Sequence, residues 1–305
     1  MRVLYFSRGY TSHDRRFLSA LRHHGHDTGF LRLEAPAPDG PPIPEGVVEL
    51  KGTIEEASRV FQPEITQAGP LLDIAYLAAK AGVRPLAAIS WGSDLLSATE
   101  AELQQIRFVL DRADAIFCDS EEGVAVARSV SRIDPSRIAR FPWGVELTRF
   151  TPALVRPQVM QIVSTRAWEP GYGVETVLTA FAVARQKAPQ LCLTLCGGGS
   201  LAPKIRRFVA NNNLSHAVMM PGRVPENELP LYLAAADLYI SGTPVDGSSI
   251  SLLEALATGL PVIAADRPSN REWITPDVNG WLAPRGDVKA FVRAILDAVD
   301  ASAEQ

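Results

Sequence analysis

Leu238-Tyr-Ile-Ser-Gly-Thr-Pro-Val-Asp-Gly-Ser-Ser-Ile-Ser-Leu-Leu-Glu254 packs a strand, a polar turn and the start of a helix into one short run. The apolar strand 238–240 enters the turn 241–249, a helix is expected over 250–258, and Gly259 leads into a second apolar strand at 261–265. In such a unit the helix N-terminus offers unpaired N–H groups and positive dipole where the turn ends, a natural seat for phosphate. Gly247 lets the backbone come close to a ligand, and Ser248 and Ser249 are suited to capping or to donating to phosphate. The helix is apolar except for Ser251 and Glu254. A carboxylate on such a helix is costly unless paired or used. Glu254 is therefore either an ion-paired structural group or a ligand contact, and the turn beside it favours the ligand.

Working outward, strand-like and helix-like stretches alternate along the whole chain, the pattern of parallel sheets wrapped by helices. Strands are expected at 2–7, 27–33, 64–67, 86–90, 115–118 and 138–141, with helices at 13–24, 71–81, 100–113 and 121–129. A Pro-rich loop, 35–44, is too stiff and too poor in donors for either element. The second half restarts the plan with strands at 160–165, 191–196, 217–220, 238–240 and 262–265, and helices at 174–187 and 288–299. Thr151-Pro152 and Arg156-Pro157 break regular structure near 149–158. The expected fold is α/β, with two doubly wound Rossmann-like domains, 1–152 and 153–305, and ligands at the carboxyl-end crevices that face each other across a cleft.

The bulk properties agree with a soluble globular chain. Its 305 residues favour about two domains, and a net charge of -4 argues against a nucleic-acid binder. No apolar run approaches a membrane span, and Met1-Arg-Val-Leu-Tyr-Phe begins as a strand rather than a signal peptide, so a cytoplasmic protein is expected. Cys118, Cys192 and Cys196 match neither a zinc site nor a disulfide framework and read as reduced core residues.

Further features converge on the sheet edge in the second half. Arg166 follows a strand, where its guanidinium is placed to grip a diphosphate; alone it reads equally well as a surface ion-pair residue. Gly197-Gly-Gly-Ser200, with Gly198 and Gly199 at its centre, follows the next strand and opens a helix. Pro221-Gly-Arg-Val-Pro225 repeats the arrangement one strand later.

From Phe141 to Ala290 the chain closely resembles the nucleotide-sugar-binding domain of family 4 glycosyltransferases, retaining enzymes of the GT-B architecture. The resemblance runs through Phe141-Pro-Trp-Gly-Val-Glu146, the Arg166 strand, the Gly-Gly-Gly turn, Gly222-Arg-Val-Pro225, Ala234-Ala-Ala-Asp237, Leu253-Glu-Ala-Leu-Ala-Thr-Gly-Leu-Pro-Val262 and Asn279-Gly-Trp-Leu282. The family's Glu-x7-Glu signature stands here as Asp246-x7-Glu254.

The resemblance implies roles by position. Glu254 would hold the ribose hydroxyls, Asp246 the transferred sugar, and the backbone of Gly247, Ser248 and Ser249 the diphosphate and sugar. Arg223 and Val224 would flank the nucleobase, and Arg166 would neutralise the departing diphosphate. No Asp-x-Asp metal motif occurs, so no metal or other cofactor is expected. Two departures stand out. Tyr172 occupies the place of the family's usual Lys, which leaves one phosphate cation fewer, and Asp246 is one methylene shorter than the usual Glu.

The first half resembles the family's acceptor side more distantly. Ile65-Thr-Gln-Ala-Gly-Pro70, which holds Gly69, and Ser90-Trp-Gly-Ser-Asp94 are the segments concerned, with Trp91 where many members carry His. Asp94 is either an acceptor-orienting carboxylate or a helix cap, and His13-Asp14 is a further candidate pair. Arg15, Arg16, Arg22, His23, His24 and His26 make the first helix basic, either as a solvated face or as a peripheral membrane contact of the kind lipid-acceptor members use. Members usually carry further helices beyond 288–299, so either a naturally shortened form or a piece of a longer chain is expected.

The function expected is a hexosyltransferase that moves a sugar from a nucleotide diphosphate sugar to an acceptor hydroxyl, with a UDP-sugar favoured over a GDP-sugar. The acceptor is left open among glycan, lipid and small molecule. A nucleotide-sugar epimerase of the same architecture and a non-catalytic nucleotide-sugar-binding protein are the rivals. A Rossmann dehydrogenase is disfavoured because no Gly-x-Gly-x-x-Gly follows the first strand.

Overall fold

The computed structural model describes residues 1–35, 42–152 and 161–303. Most of the Pro-rich loop and the latter part of the expected join at 149–158 lie outside the described residues. The chain folds as two units, Met1–Pro142 and Trp143–Gln305. The sequence puts the join at 152/153, but the segment from Trp143 packs with the second unit. There Arg149 Nη1 meets Glu226 Oε1 at 2.8 Å, and Phe150 is buried beside Val163 and Tyr239.

The first unit runs β1 (Arg2–Ser7), α1 (Ser12–His23), β2 (Asp27–Arg32), β3 (Val47–Leu50), α2 (Ile54–Phe61), β4 (Ile65–Ala68), α3 (Tyr76–Lys80), β5 (Leu86–Ile89), α4 (Ser93–Leu96), α5 (Glu100–Arg112), β6 (Ala115–Cys118), α6 (Glu121–Val130) and β7 (Ile138–Arg140). The strands form one seven-stranded sheet, order β3-β2-β1-β4-β5-β6-β7, in which every pairing is parallel. Alternation along β1 sends Leu4 and Phe6 to the face packed by α2, α3, α5 and α6, and Tyr5 to the opposite face with Leu18 of α1 and Phe30. Thr11–Asp14, Thr53–Glu56 and Thr99–Glu102 close capping boxes that start α1, α2 and α5.

The helix expected over 71–81 begins only at Tyr76. Leu72 is extended (φ -70°, ψ 146°) and Asp73 has φ 64°, so the backbone leaves helical space where the Asp73 carboxylate pairs with Arg8. β3 and α2 lie where no element was expected. β3 is an edge strand with two exposed residues out of four, too short and too wet to give a clear pattern.

The second unit runs β8 (Gln161–Ser164), α7 (Val174–Lys187), β9 (Cys192–Cys196), α8 (Ala202–Asn211), β10 (Val218–Gly222), α9 (Leu229–Ala234), β11 (Leu238–Ser241), α10 (Ile250–Ala257), β12 (Val262–Ala265), α11 (Pro268–Arg271), β13 (Gly280–Ala283) and α12 (Val288–Ala303). Its parallel sheet has the order β10-β9-β8-β11-β12-β13. Leu238, Ile240 and Ile263 face α7, α8 and α12, while Tyr239, Val262 and Ala264 face α9 and α10. Phe181 and Phe291 anchor the first of these layers, each contributing about 1.5–3 kcal/mol through burial.

Strand order reverses between β1 and β4 in the first sheet and between β8 and β11 in the second. At such a reversal the crossovers leave on opposite faces and open a crevice at the carboxyl ends, where ligands of open α/β sheets bind. No helix among the described residues is long and apolar enough to cross a membrane.

Candidate functional site

At the second reversal, the loop leaving β8 and the turn leaving β11 lock together through glycine backbone. A Cβ on Gly173 (φ 67°) would collide with the carbonyl of Gly242, and one on Gly242 with the carbonyl of Gly173. Thr243 Oγ1 also donates to the Tyr172 carbonyl at 3.2 Å. This close approach carries Arg166, two residues beyond β8, to the start of α10.

The Arg166 guanidinium is the hub of the site. Nη2 donates to Asp246 Oδ2 at 2.8 Å, and Nη1 donates to Ser249 Oγ at 3.0 Å and Ser251 Oγ at 2.9 Å. The Tyr172 ring lies beside it, with Cζ 4.9 Å from the ring centroid, a cation–π geometry. The side chains of Arg166 and Asp246 are only 12% and 21% exposed, which removes the surface ion-pair reading of Arg166. Arg166 Nε is buried and has no hydrogen-bond partner among the described residues. A buried donor left unmet costs about 1–3 kcal/mol, so this edge suits an anionic ligand.

Ser249 occupies the N-cap of α10, yet its side chain makes no capping bond; its Oγ serves Arg166 instead. The first turn of α10 therefore keeps its backbone dipole without side-chain compensation, next to a guanidinium. Gly247 and Ser248 are buried in the same turn, and Glu254 is half-buried farther along α10. Burial pushes the Tyr239 phenol above its ordinary value; Arg166 and the Ser251 hydrogen bond draw it back, and the Glu254 charge adds to the rise. Both charged groups are thus felt at one hydroxyl.

The turn is held from behind by residues that sequence reasoning passed over. Arg267, 5% exposed, and Arg285 both donate to the Pro244 carbonyl, and Ser269 Oγ donates to the Asp246 carbonyl at 3.0 Å. Asp266-Arg-Pro-Ser269 directly follows β12 at this same edge, the signal by which Arg267 and Ser269 could have been found.

The Gly-Gly-Gly turn has an internal occupant. Glu169 accepts from Ser200 N at 2.8 Å and from Ser200 Oγ, and a Cβ on Gly199 would strike the Glu169 carboxylate. The Ser200 hydrogen bonds, with Arg223 nearby, hold the Glu169 carboxyl below the usual range. Close approach is the reason for these glycines, and at Gly199 the approaching group is the chain's own carboxylate. Gly198 lies against the Arg223 side chain, which is exposed, whereas Val224 is half-buried against the core. The Cys196 thiol, pushed up to about 12 by burial, is inert core.

In the first unit, the edge of β1, β4 and β5 gathers the other candidates. The His13 and Trp91 rings meet edge-on with centroids 6.2 Å apart, and a Cβ on Gly69 would lie 3.0 Å from Trp91 Nε1. Asp94 accepts from Leu71 N at 2.6 Å, Ser90 Oγ at 2.9 Å and Trp91 N at 2.9 Å, which ties the loops after β4 and β5 together. Asp94 is not the N-cap of α4, a position that Gly92 holds without a side-chain capping bond; its carboxylate fixes the two loops instead. Asp14 is likewise internal, buried in the α1 capping box and accepting from Tyr5. Arg15, Arg16 and Arg22 are half-buried, and Arg22 donates to the His26 carbonyl at 2.8 Å, while His23 and His24 are exposed.

Residues 155–305 match the family model described as glycosyl transferases group 1. Through those residues the chain belongs to the group 1 glycosyltransferases. The amylovoran biosynthesis glycosyltransferase AmsK of Erwinia amylovora is 30% identical over 161 residues, 50% of this chain and 40% of that relative. A GDP-mannose-dependent alpha-(1-6)-phosphatidylinositol monomannoside mannosyltransferase of Mycolicibacterium smegmatis is 26% identical over 249 residues, 75% of this chain and 65% of that relative. The chain thus spans less than two thirds of either of these group 1 glycosyltransferase relatives. Anabaena HepE, solved in complex with UDP-glucose, superposes with a TM-score of 0.81 over 100% of this chain and 91% of that one at 15% identity, a likeness of fold. The architecture is GT-B.

Proposed function

We propose that this chain is a retaining, family 4 glycosyltransferase that moves a sugar from a nucleotide diphosphate sugar to an acceptor hydroxyl, working in the cytoplasm. The observation that carries the reading is the Arg166 guanidinium, shielded beside the α10 N-terminus with its Nε–H unmet. In this reading the donor diphosphate lies along the Nε edge of Arg166 and the first turn of α10. Asp246 and Gly247 take hydroxyls of the transferred sugar, Glu254 takes the ribose, and Arg223 with Val224 flanks the base. The His13, Trp91 and Gly69 cluster of the first unit serves the acceptor.

Negative charge grows on the diphosphate as the glycosidic bond breaks, and groups fixed before that moment stabilise the transition state without reorganising. Arg166, the Ser249 hydroxyl and the α10 dipole supply that charge stabilisation from the protein side.

A UDP-sugar is the donor we favour. The bound UDP-glucose of HepE supports it, while the GDP-mannose of the Mycolicibacterium relative marks the competing base. Calorimetry with UDP, GDP, ADP and CDP tests this directly. UDP is expected to bind most tightly; GDP binding more tightly would reverse the base assignment, and no binding of any diphosphate would reject the donor site.

A further inference from the structure

A buried chain of hydroxyls reaches the site from behind, and the roles above use only its outer end, Ser249. Tyr239, on β11, is fully buried beneath α10. Its phenol donates to Ser251 Oγ at 2.9 Å, Ser251 Oγ lies 3.1 Å from Ser249 Oγ, and both serine oxygens accept from Arg166 Nη1.

The hydrogen count gives this chain a direction. A serine hydroxyl has two lone pairs and one proton. Ser251 Oγ accepts from Tyr239 and from Arg166, so both lone pairs are filled and its proton goes to Ser249. Ser249 Oγ then accepts from Ser251 and from Arg166, and its own proton is directed out of the cluster. The Ser249 O–H and the Arg166 Nε–H are among the donors left for a ligand at the α10 N-terminus.

We propose that Tyr239 and Ser251 are positioning residues that orient Ser249 and Arg166 as a pair of donors toward the leaving phosphate of the nucleotide sugar. They touch no substrate. They fix which way the hydroxyl points and where Nη1 sits, so the donors do not have to reorient as charge develops. With Phe at 239, Ser251 regains a free lone pair, Ser249 can turn its proton inward, and one donor to the phosphate is lost. The inference rests on the donor-site reading given above.

The test is donor-hydrolysis kinetics on the full chain, with the most rapidly cleaved member of a panel of UDP- and GDP-sugars. Tyr239→Phe and Ser251→Ala are each expected to lower kcat about tenfold with KM held within about twofold, the mark of an interaction made in the transition state. Ser251→Thr, which keeps the hydroxyl, is expected to retain most of the activity. In an Arg166→Ala background, Tyr239→Phe is expected to have much less effect than in the parent, because residues that act through one network are not additive.

Parental kcat in folded Tyr239→Phe and Ser251→Ala overturns the inference. So does the same Tyr239→Phe factor in both backgrounds, which would mark a packing role independent of Arg166. Undiminished kcat in Arg166→Ala instead overturns the donor-site reading itself, as does a parent chain that cleaves no member of the panel.

Discussion

Replacing Asp246 with Asn separates the two jobs that the site gives this carboxylate. Asp246 Oδ2 holds Arg166 Nη2 at 2.8 Å with little exposure on either side. Unit charges about 4 Å apart attract by about 4 kcal/mol at an effective dielectric of about 20, an upper bound before desolvation is counted. Asn keeps an acceptor oxygen and relieves the burial of a charge, so the net loss of stability is about 1–2 kcal/mol. For a unit of this size that lowers the melting temperature by about 2–8 °C. Arg166 then retains its full positive charge for phosphate, and UDP binding is expected to tighten about tenfold, or about 1.4 kcal/mol. A UDP-sugar gains less, because the carboxylate that would meet its hydroxyls is gone. Calorimetry of UDP and UDP-glucose on parent and variant reads both changes. Equal or weaker UDP binding in a folded Asp246→Asn protein would refute the idea that carboxylate and diphosphate share one guanidinium.

Three further outcomes follow from the same geometry. Glu254→Gln, read by UDP calorimetry, is expected to weaken binding about tenfold or more, since a charge-assisted hydrogen bond contributes about 1.5–3 kcal/mol; unchanged affinity would return Glu254 to a structural role. Tyr172→Lys exchanges a cation–π contact of about 0.5–1 kcal/mol for a second cation beside Arg166. Its melting temperature should fall by a few degrees while UDP binds several-fold tighter, and weaker UDP binding would place residue 172 off the phosphate path. Burial raises the Asp94 carboxyl from 3.8 to about 6, against the hydrogen bonds from Leu71, Ser90 and Trp91 that favour its charge. The raised folded-state value gives stability that is full below about 4 and lost as pH rises through about 6, on the order of 3 kcal/mol. Chemical denaturation should show the parent losing stability relative to Asp94→Asn between pH 4 and 7, and a flat difference would contradict the shift.

Much of this was legible in the chain because it is written locally. The strand–turn–helix run from Leu238 is contiguous, and its apolar alternation fixes which way Tyr239 and Ile240 face. The same locality placed Arg166 at a strand end and Ser249 at a helix start. Their bond joins residues far apart in sequence, and no periodicity announces it. The helix expected over 71–81 begins only at Tyr76, because Leu72 is extended and Asp73 takes a positive φ that no local pattern announces. The Gly-Gly-Gly turn marks a close approach by its composition alone. Sequence could not say that Glu169 would be the group approaching Gly199, since that depends on how the β8 loop folds over the next one. Nor could it give the direction of the Tyr239–Ser251–Ser249 chain, which emerges only when each oxygen's donors are counted.

The donor-site account stands most directly on Arg166→Ala. Turnover of the preferred nucleotide sugar is expected to fall on the order of a hundredfold, as for loss of one transition-state donor, while the dissociation constant for the same sugar rises by clearly less. Equal turnover in variant and parent, with the fold intact by melting temperature, would contradict it.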